Sequence, residues 1–482
     1  MPEYDAWVAR LRDDITNKKY EIFKPEDLIA HDKFNIADGF NVDLTVVEEI
    51  QFKGDPVIAV EQEMHKIREL LRVNNDKSKK KDEVCSIVVD LGTRQLRVGY
   101  SGDERPSVVI PSQVGTVTDG QYFFGDLALS FPRASMEIKP VISGTEVLDW
   151  NLLEKLLVHS VGEKLGAKWT EHPVLFVDNP MWSRETREKL VQMFFDKFDV
   201  PAVFLGRAPV LAAFAMGKHS ALVIDCGASA IRVGPIFEGY LIKAGALHQP
   251  LLGGDALTSQ ARTILLDDLK IGPLHIPQQV EHKFPVELSQ PAKMEPKMLK
   301  DVTDSFMTYH QNLVLDDFKE STVQISELSF NGTELARRPP KYYEFPDGYN
   351  RNFVIDRFRL GEQLFHPGQF RHQTGEPAPS SVIGLAELIN KSLQQCDAEV
   401  RGSLIGNLIL TGGGSSLNGL SERLNFELGR MPTYISPSSH ERRFGAWIGG
   451  SILASLSTFQ QLWLTKQEYK EHGASYIDRK CP

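Results

Sequence analysis

Residues 88–99 read VVDLGTRQLRVG and residues 223–234 read VIDCGASAIRVG. Both open with two apolar residues, Asp, any residue and Gly, and both close with an aliphatic residue followed by Arg-Val-Gly, at identical spacing. A strand that ends in Asp, turns at Gly and returns as a second strand presents backbone N–H groups at its tip. Such a nest receives phosphate, the Asp can hold a hydrated divalent cation, and Gly lets the backbone approach a ligand closely. One Asp-x-Gly turn constrains little, because such turns occur everywhere. Two of matching length, each flanked by buried-type strands, fit two hairpins that face one another and clamp a polyphosphate from both sides.

The 482 residues exceed what a single core usually holds, so at least two lobes are expected. Hydrophobic content of 41% and charged content of 24% are those of an ordinary globular protein. A formal charge of −10 argues against broad adhesion to nucleic acid, which needs an excess of Lys and Arg on one face. Cys85, Cys226, Cys396 and Cys481 are scattered without Cys-x-x-Cys spacing, which points to neither a zinc site nor a disulfide framework and fits a reducing compartment. MPEYDAWVARLRDD is acidic and has no apolar h-region, and runs such as VLAAFAMG are far shorter than the ~20 residues of a membrane helix. A soluble intracellular protein without a membrane partner is expected.

Residues 1–82 read differently from the rest. DAWVARLRDDI and VEQEMHKIRELLRV have helical apolar spacing, and NNDKSKKKDE reads as a solvated linker or a nuclear import signal. This segment is expected to be an appendage. From residue 83 strands and helices alternate: CSIVVDLG, RQLRVGYSG, VVIPSQVG, VLFVDNP, AVFLG and SALVIDCG read as strands, NLLEKLLVHSVGEKL and RETREKLVQMFFDKF as amphipathic helices. That is an α/β pattern. The Pro-rich stretch from about 267 to 300 reads as an irregular surface excursion within a divergent insert of about 267–340, and GQFRHQTGEPAPSS as a second loop.

A third glycine-rich element, LILTGGG, runs a strand into Gly412, Gly413 and Gly414 ahead of the helix LNGLSERLNFEL. A helix N-terminus behind glycines can also receive a nucleotide. In order and spacing the three elements resemble those of the actin superfamily. ERRFGAWIGGSILASLSTFQQLWLTKQEYKEHGASYIDRKCP at 441–482 is similar to the actin C-terminus almost residue for residue, and YEFPDGYNRNFVIDRFRLGEQLFHP at 343–367 resembles another actin segment. FPRASMEIKPVISGTEVLDW, the final Cys-Pro and the Gly-Ala of the second hairpin resemble the nuclear actin-related branch. The resemblance spans 83–482. It implies an actin-like α/β fold, with two related lobes of four subdomains around a nucleotide cleft and the second phosphate lobe starting near 220.

The resemblance also implies roles. Asp90, with Gly92, Thr93, Arg94 and Arg97, forms the first phosphate hairpin, and Asp225, with Gly227, Ala228 and Ser229, the second; Asp90 and Asp225 face a metal through water. ATP or ADP with Mg²⁺ or Ca²⁺ is the implied cofactor. Gly412, Gly413 and Gly414 join the nucleotide site, and Arg443 stands where the family places a basic residue beside the base. Ala228 replaces the acid that arranges metal and attacking water, Ala208 the water-positioning Gln, and Arg232 a His. The family's Lys-Glu pair for adenine and ribose has no clear counterpart in FMTYHQNLVLDDF. Hydrolysis needs a held, in-line water, which a methyl group cannot orient, so ATP is expected to bind without appreciable turnover.

Between IPSQVG and FGDLALS only TVTDGQYF remains of the family's long polymerisation loop, so a filament is not expected. The family's helix-binding groove maps onto Phe214, Gly217 and Tyr240 on one side and Leu453, Leu456, Thr458 and Leu462 on the other. The implied partners are monomeric actin, the helicase-SANT-associated helix of a scaffold or remodeller subunit, and histones or nucleosomes. The expected protein is a non-catalytic subunit of nuclear chromatin-remodelling and histone-acetyltransferase complexes. The rival expectation is an actin-like ATPase or a cytoskeletal actin-related protein.

Overall fold

The computed structural model describes residues 85–369, 381–429 and 431–482. The compact unit spans Val84–Pro482. The two N-terminal helices and the lysine run, and most of GQFRHQTGEPAPSS, lie outside the described residues. Among the described residues no helix is long and apolar enough to cross a membrane.

Two six-stranded sheets carry the fold. The first uses β1 (Ile87–Leu91), β2 (Gln95–Tyr100), β3 (Val108–Pro111), β4 (Val174–Asp178) and β5 (Ala202–Arg207). The second uses β6 (Ala221–Cys226), β7 (Ile231–Phe237), β8 (Tyr240–Leu241), β9 (Leu247–Gln249), β10 (Leu408–Thr411) and β11 (Thr433–Tyr434); the short β12 (Leu464–Thr465) returns to the edge of the first. In the first sheet the order is β12-β5-β4-β1-β2-β3, and in the second β8-β7-β6-β10-β11 with β9 also on β7. Each sheet has an antiparallel hairpin, β1–β2 or β6–β7, whose first strand runs parallel to a neighbour, β4 or β10. The sequence repeat is thus a repeat of topology. β1 and β4 are buried along their whole length, as strands covered on both faces should be.

The helices are α1 (Trp150–Val158), α2 (Arg184–Gln192), α3 (Ala208–Ala215), α4 (Gly254–Thr263), α5 (Asp304–Thr322), α6 (Leu385–Gln394), α7 (Leu420–Glu427) and α8 (Ser439–Ser455). Their starts are legible locally. Asp149, Ser183, Thr303 and Ser438 each accept a backbone N–H of the first turn of α1, α2, α5 and α8. α1 and α2 bury Leu152, Leu153, Leu156, Leu157, Leu190 and Val191 in the first lobe's core. α6 and α7 pack Leu385, Leu388, Leu420 and Leu424 against the second sheet.

The region read as a divergent, irregular insert is only partly so. Residues 280–283 and 294–296 form a short hairpin. Beyond them α5 runs for 19 residues and buries Phe306, His310, Val314, Leu315 and Phe318. Pro and Gly ahead of α5 break the period, and the long helix behind them is not marked by composition.

The chain passes between the sheets twice, through α3 after β5 and through α8 after β11, and these two helices pack against each other. A Cβ on Gly449 would lie 1.8 Å from the Leu211 carbonyl oxygen, so the crossing is closer than any side chain allows. Trp447, fully buried in α8, donates its indole N–H to the Val88 carbonyl of β1 at 3.0 Å. Gly449→Ala would gain up to ~1 kcal/mol of helix propensity. The backbone clash should outweigh that gain, with a net loss of about 1–3 kcal/mol or more, read as a lower midpoint in chemical denaturation. An unchanged midpoint would mean that the crossing tolerates separation.

Candidate functional site

Both hairpins close the same way: Gly92 N–H donates to the Gln95 carbonyl at 3.0 Å, and Gly227 N–H to the Ala230 carbonyl at 3.1 Å. Their tips meet, with Thr93 Oγ1 donating to Ser229 Oγ at 3.1 Å. The α4 N-terminus docks on the second tip, where Gly254 and Asp255 N–H donate to the Gly227 and Ala228 carbonyls. Around the tips is a cavity of about 770 Å³, within the range of ligand pockets.

Asp90, Gly92, Thr93, Arg94 and Arg97 of the first hairpin line this cavity, as do Asp225, Gly227 and Ala228 of the second. Gly412, Gly413, Gly414 and Arg443 belong to the same wall, as does Ala208, the first residue of α3. The glycine element differs from its sequence reading. Gly412 takes φ +84°, Gly413–Ser416 form a 3₁₀ turn, and α7 begins only at Leu420, so no α-helix N-terminus follows the glycines directly. Arg443 donates to Gln95 Oε1 at 2.8 Å and so joins α8 to the first hairpin.

Two residues of this wall escaped the sequence reading, which found no Lys-Glu pair. Lys319 and Glu320, on the last turns of α5 just beyond FMTYHQNLVLDDF, both line the cavity. Lys319 Nζ is held by Thr258 Oγ1 at 2.8 Å, Asp316 Oδ1 at 2.9 Å and the Gly254 carbonyl at 3.0 Å.

The charges of the cleft are largely spent on one another. Asp90 and Arg97 are cross-strand partners, with Arg97 Nη1 2.5 Å from Asp90 Oδ2. Asp225 and Arg232 are partners at the equivalent place of the second hairpin, at 3.6 Å. Burial pushes the Asp225 carboxyl above its usual range; Arg232 opposes this only in part, and Asp90 adds to it. Arg94 reaches across the cleft from the first tip, 2.8 Å from Asp255 and 3.1 Å from Asp316. Burial pulls its pKa down, but the two carboxylates outweigh this and hold it above its ordinary value. Arg94 and Arg97 were expected beside phosphate; both have carboxylate partners within the protein.

A family model described as Actin matches residues 81–482. The chain belongs to the actin family. It is 33% identical to actin-related protein 4 of Arabidopsis thaliana, covering 83% of this chain and 99% of that protein. With actin-related protein 4 of Schizosaccharomyces pombe it shares 33% identity over 83% and 98% of the two chains, and with that of Emericella nidulans 34% over 83% and 97%. The two sheets with their facing hairpins are the actin-like α/β fold that the sequence implied.

Of the residues expected to form the second surface, Phe214 lies in the last turn of α3 and Gly217 two residues beyond it, Tyr240 begins β8 against that helix, and α8 packs alongside. Tyr240 is 67% exposed, Leu462 50%, and Leu456 39%. Leu453 departs from its expected place: it is partly buried and packs on the core around Trp447, Phe459 and Trp463. Ile452, one helical turn before Leu456, is equally exposed. Thr458 lies in the 3₁₀ turn Ser457–Gln461, and its side chain is outside the described residues.

The Arg94 bridge is a partly exposed charge pair, so its coupling should be modest. A double-mutant cycle of Arg94→Ala and Asp316→Asn in chemical denaturation should give about 0.5–1 kcal/mol. A coupling of zero would mean that Arg94 spans the cleft without holding it.

Proposed function

We propose that this protein is a non-catalytic, nucleotide-stabilised structural subunit of nuclear chromatin-remodelling and histone-acetyltransferase complexes, with residues 1–82 as an appendage to its actin-like unit. The observation that carries the non-catalytic reading is the pair Ala208 and Ala228, two methyl-bearing residues on the wall of the cleft beside the hairpin tips. A water attacking a terminal phosphate must be oriented and partly deprotonated, and one such positioned group contributes ~10²-fold or more. Methyl groups supply neither function. The hairpin backbone, Arg443 and Glu320 line the cavity and offer contacts for phosphate, base and ribose, with Lys319 held beside them by its own three acceptors, which supports ADP or ATP as the ligand. Bound nucleotide would brace the two lobes by mass action.

A divalent cation fits less well. Its two expected carboxylates, Asp90 and Asp225, already face guanidinium groups, and among the described residues no group of three or more His, Cys, Asp or Glu could hold a metal ion. No step is assigned to a metal here.

For the partner side, the exposed apolar side chains of Phe214, Tyr240, Ile452, Leu456 and Leu462 support a docking site for an amphipathic helix. The helicase-SANT-associated segment of a scaffold subunit, with monomeric actin beside it, is the proposed occupant, and histones or nucleosomes are a further proposed contact. The net charge of −10 suits histones better than DNA.

Protein loaded with ATP and freed of excess nucleotide should release no phosphate above a buffer control in a single-turnover assay; stoichiometric release would restore the ATPase reading. Leu456→Asp should weaken binding of a scaffold helix by about tenfold or more, measured by calorimetry, without moving the thermal midpoint. Unaltered affinity would put the partner elsewhere.

A further inference from the structure

We propose that the cleft takes its nucleoside polyphosphate without a divalent cation, the guanidinium groups of Arg97 and Arg232 supplying the positive charge that the phosphates need. This deepens the nucleotide reading above and rests on it.

Asp90 faces Arg97 and Asp225 faces Arg232 because each hairpin pairs its Asp with the residue seven positions on. The two carboxylates that approach the polyphosphate from opposite lobes therefore each have a cation beside them, at 2.5 Å and 3.6 Å. A hydrated dication is drawn to such a place by uncompensated carboxylate charge and is repelled by neighbouring guanidinium. The second tip adds no further acid, since Ala228 stands there. Of the other cleft carboxylates, Asp255 and Asp316 are engaged by Arg94 and Asp317 accepts from the Tyr343 hydroxyl at 2.6 Å, while Asp126 and Glu320 line the cavity away from the two hairpin acids.

The arginines themselves have donors to spare. Among the described residues, Arg97 Nε and Arg232 Nε are both buried with no hydrogen-bond partner. Buried donors are almost always paired; Arg187, Arg357 and Arg442 also carry an Nε without a hydrogen bond, but only Arg97 and Arg232 do so at equivalent positions of two hairpins lining one cavity, where an acceptor-only ligand would satisfy both. Arg232 also bonds the Gly144 carbonyl and Ser229 Oγ at 3.3 Å, which fixes its head at the meeting of the lobes. Phosphate oxygens are acceptors only, and a planar guanidinium can engage them while keeping one edge on a carboxylate.

The test is equilibrium titration of the full-length protein with a fluorescent ATP analogue, in excess EDTA and in millimolar magnesium chloride. The expected result is two dissociation constants within about threefold of each other. Arg232→Gln should weaken binding in EDTA by about tenfold or more, and magnesium should restore part of the loss because Asp225 is then free to face a cation. A loss of packing alone would show no such magnesium rescue. Arg97→Lys, which keeps the charge, serves where Arg97→Gln fails to fold. Wild-type binding that needs magnesium, or Arg232→Gln binding as tightly as wild type in EDTA, overturns the inference and leaves the nucleotide reading standing. No binding of the analogue in either buffer overturns both.

Discussion

The close crossing of α3 and α8 is the contact on which everything else depends. Among the described residues these helices are the only covalent routes between the two sheets, so the angle at which they cross sets how the hairpins β1–β2 and β6–β7 face each other. Gly449 against the Leu211 carbonyl allows almost no separation, and the Trp447–Val88 bond pins α8 to the central strand of the first sheet. With the angle set there, Thr93 and Ser229 come within hydrogen-bond distance at the tips. At the opposite end α5 completes the enclosure: Thr303 donates to the Met136 carbonyl, and Phe306 packs with Leu129, Met136 and Ile138. The cleft is therefore bounded by a rigid crossing on one side and by a softer apolar contact on the other.

The first lobe is braced from behind by its own C-terminus. Asp178, fully buried at the end of β4, lies 3.0 Å from Arg187 of α2 and 2.9 Å from Arg207 of β5, and Arg187 also donates to the Cys481 carbonyl. Burial pushes the Asp178 carboxyl up, with both arginines opposing it. Such a buried cluster adds little net stability, but removing one member strands a buried charge. Its effect is positional: it ties α2 and β5 to the end of β4 and holds Asp478 and the Cys481 carbonyl against Arg187.

The repeated hairpin was legible because it is a matter of register, and a strand period of two with a fixed turn fixes register. The strands and the amphipathic α1 and α2 were legible from period alone. Lys319 and Glu320 were not, because a Lys-Glu pair on a helix reads as solvated surface until the helix is placed against the cleft. Leu453 and Ile452 exchanged roles for a related reason. A run such as SILASL is apolar on several sides, and only packing on Trp447 and Phe459 decides which residue faces out. The 3₁₀ turn after Gly412 reflects backbone demands at two left-handed glycines, Gly412 and Gly419, that no apolar pattern reports. The charge pairing of Asp90 and Asp225 could have been read from the spacing, since Arg97 and Arg232 stand at the same offset from each Asp.

The two crossover helices also join the two candidate sites. α3 begins at Ala208 on the cleft wall and carries the exposed Phe214 in its last turn. α8 carries Arg443 beside the cleft and, beyond a kink at Phe444, the exposed Ile452. α3 is one packed helix from end to end, whereas α8 is broken at Phe444, so its cleft end and its far end are two segments that meet at a kink. A change in the angle between the lobes that moves α3 must therefore displace Ala208 and Phe214 together.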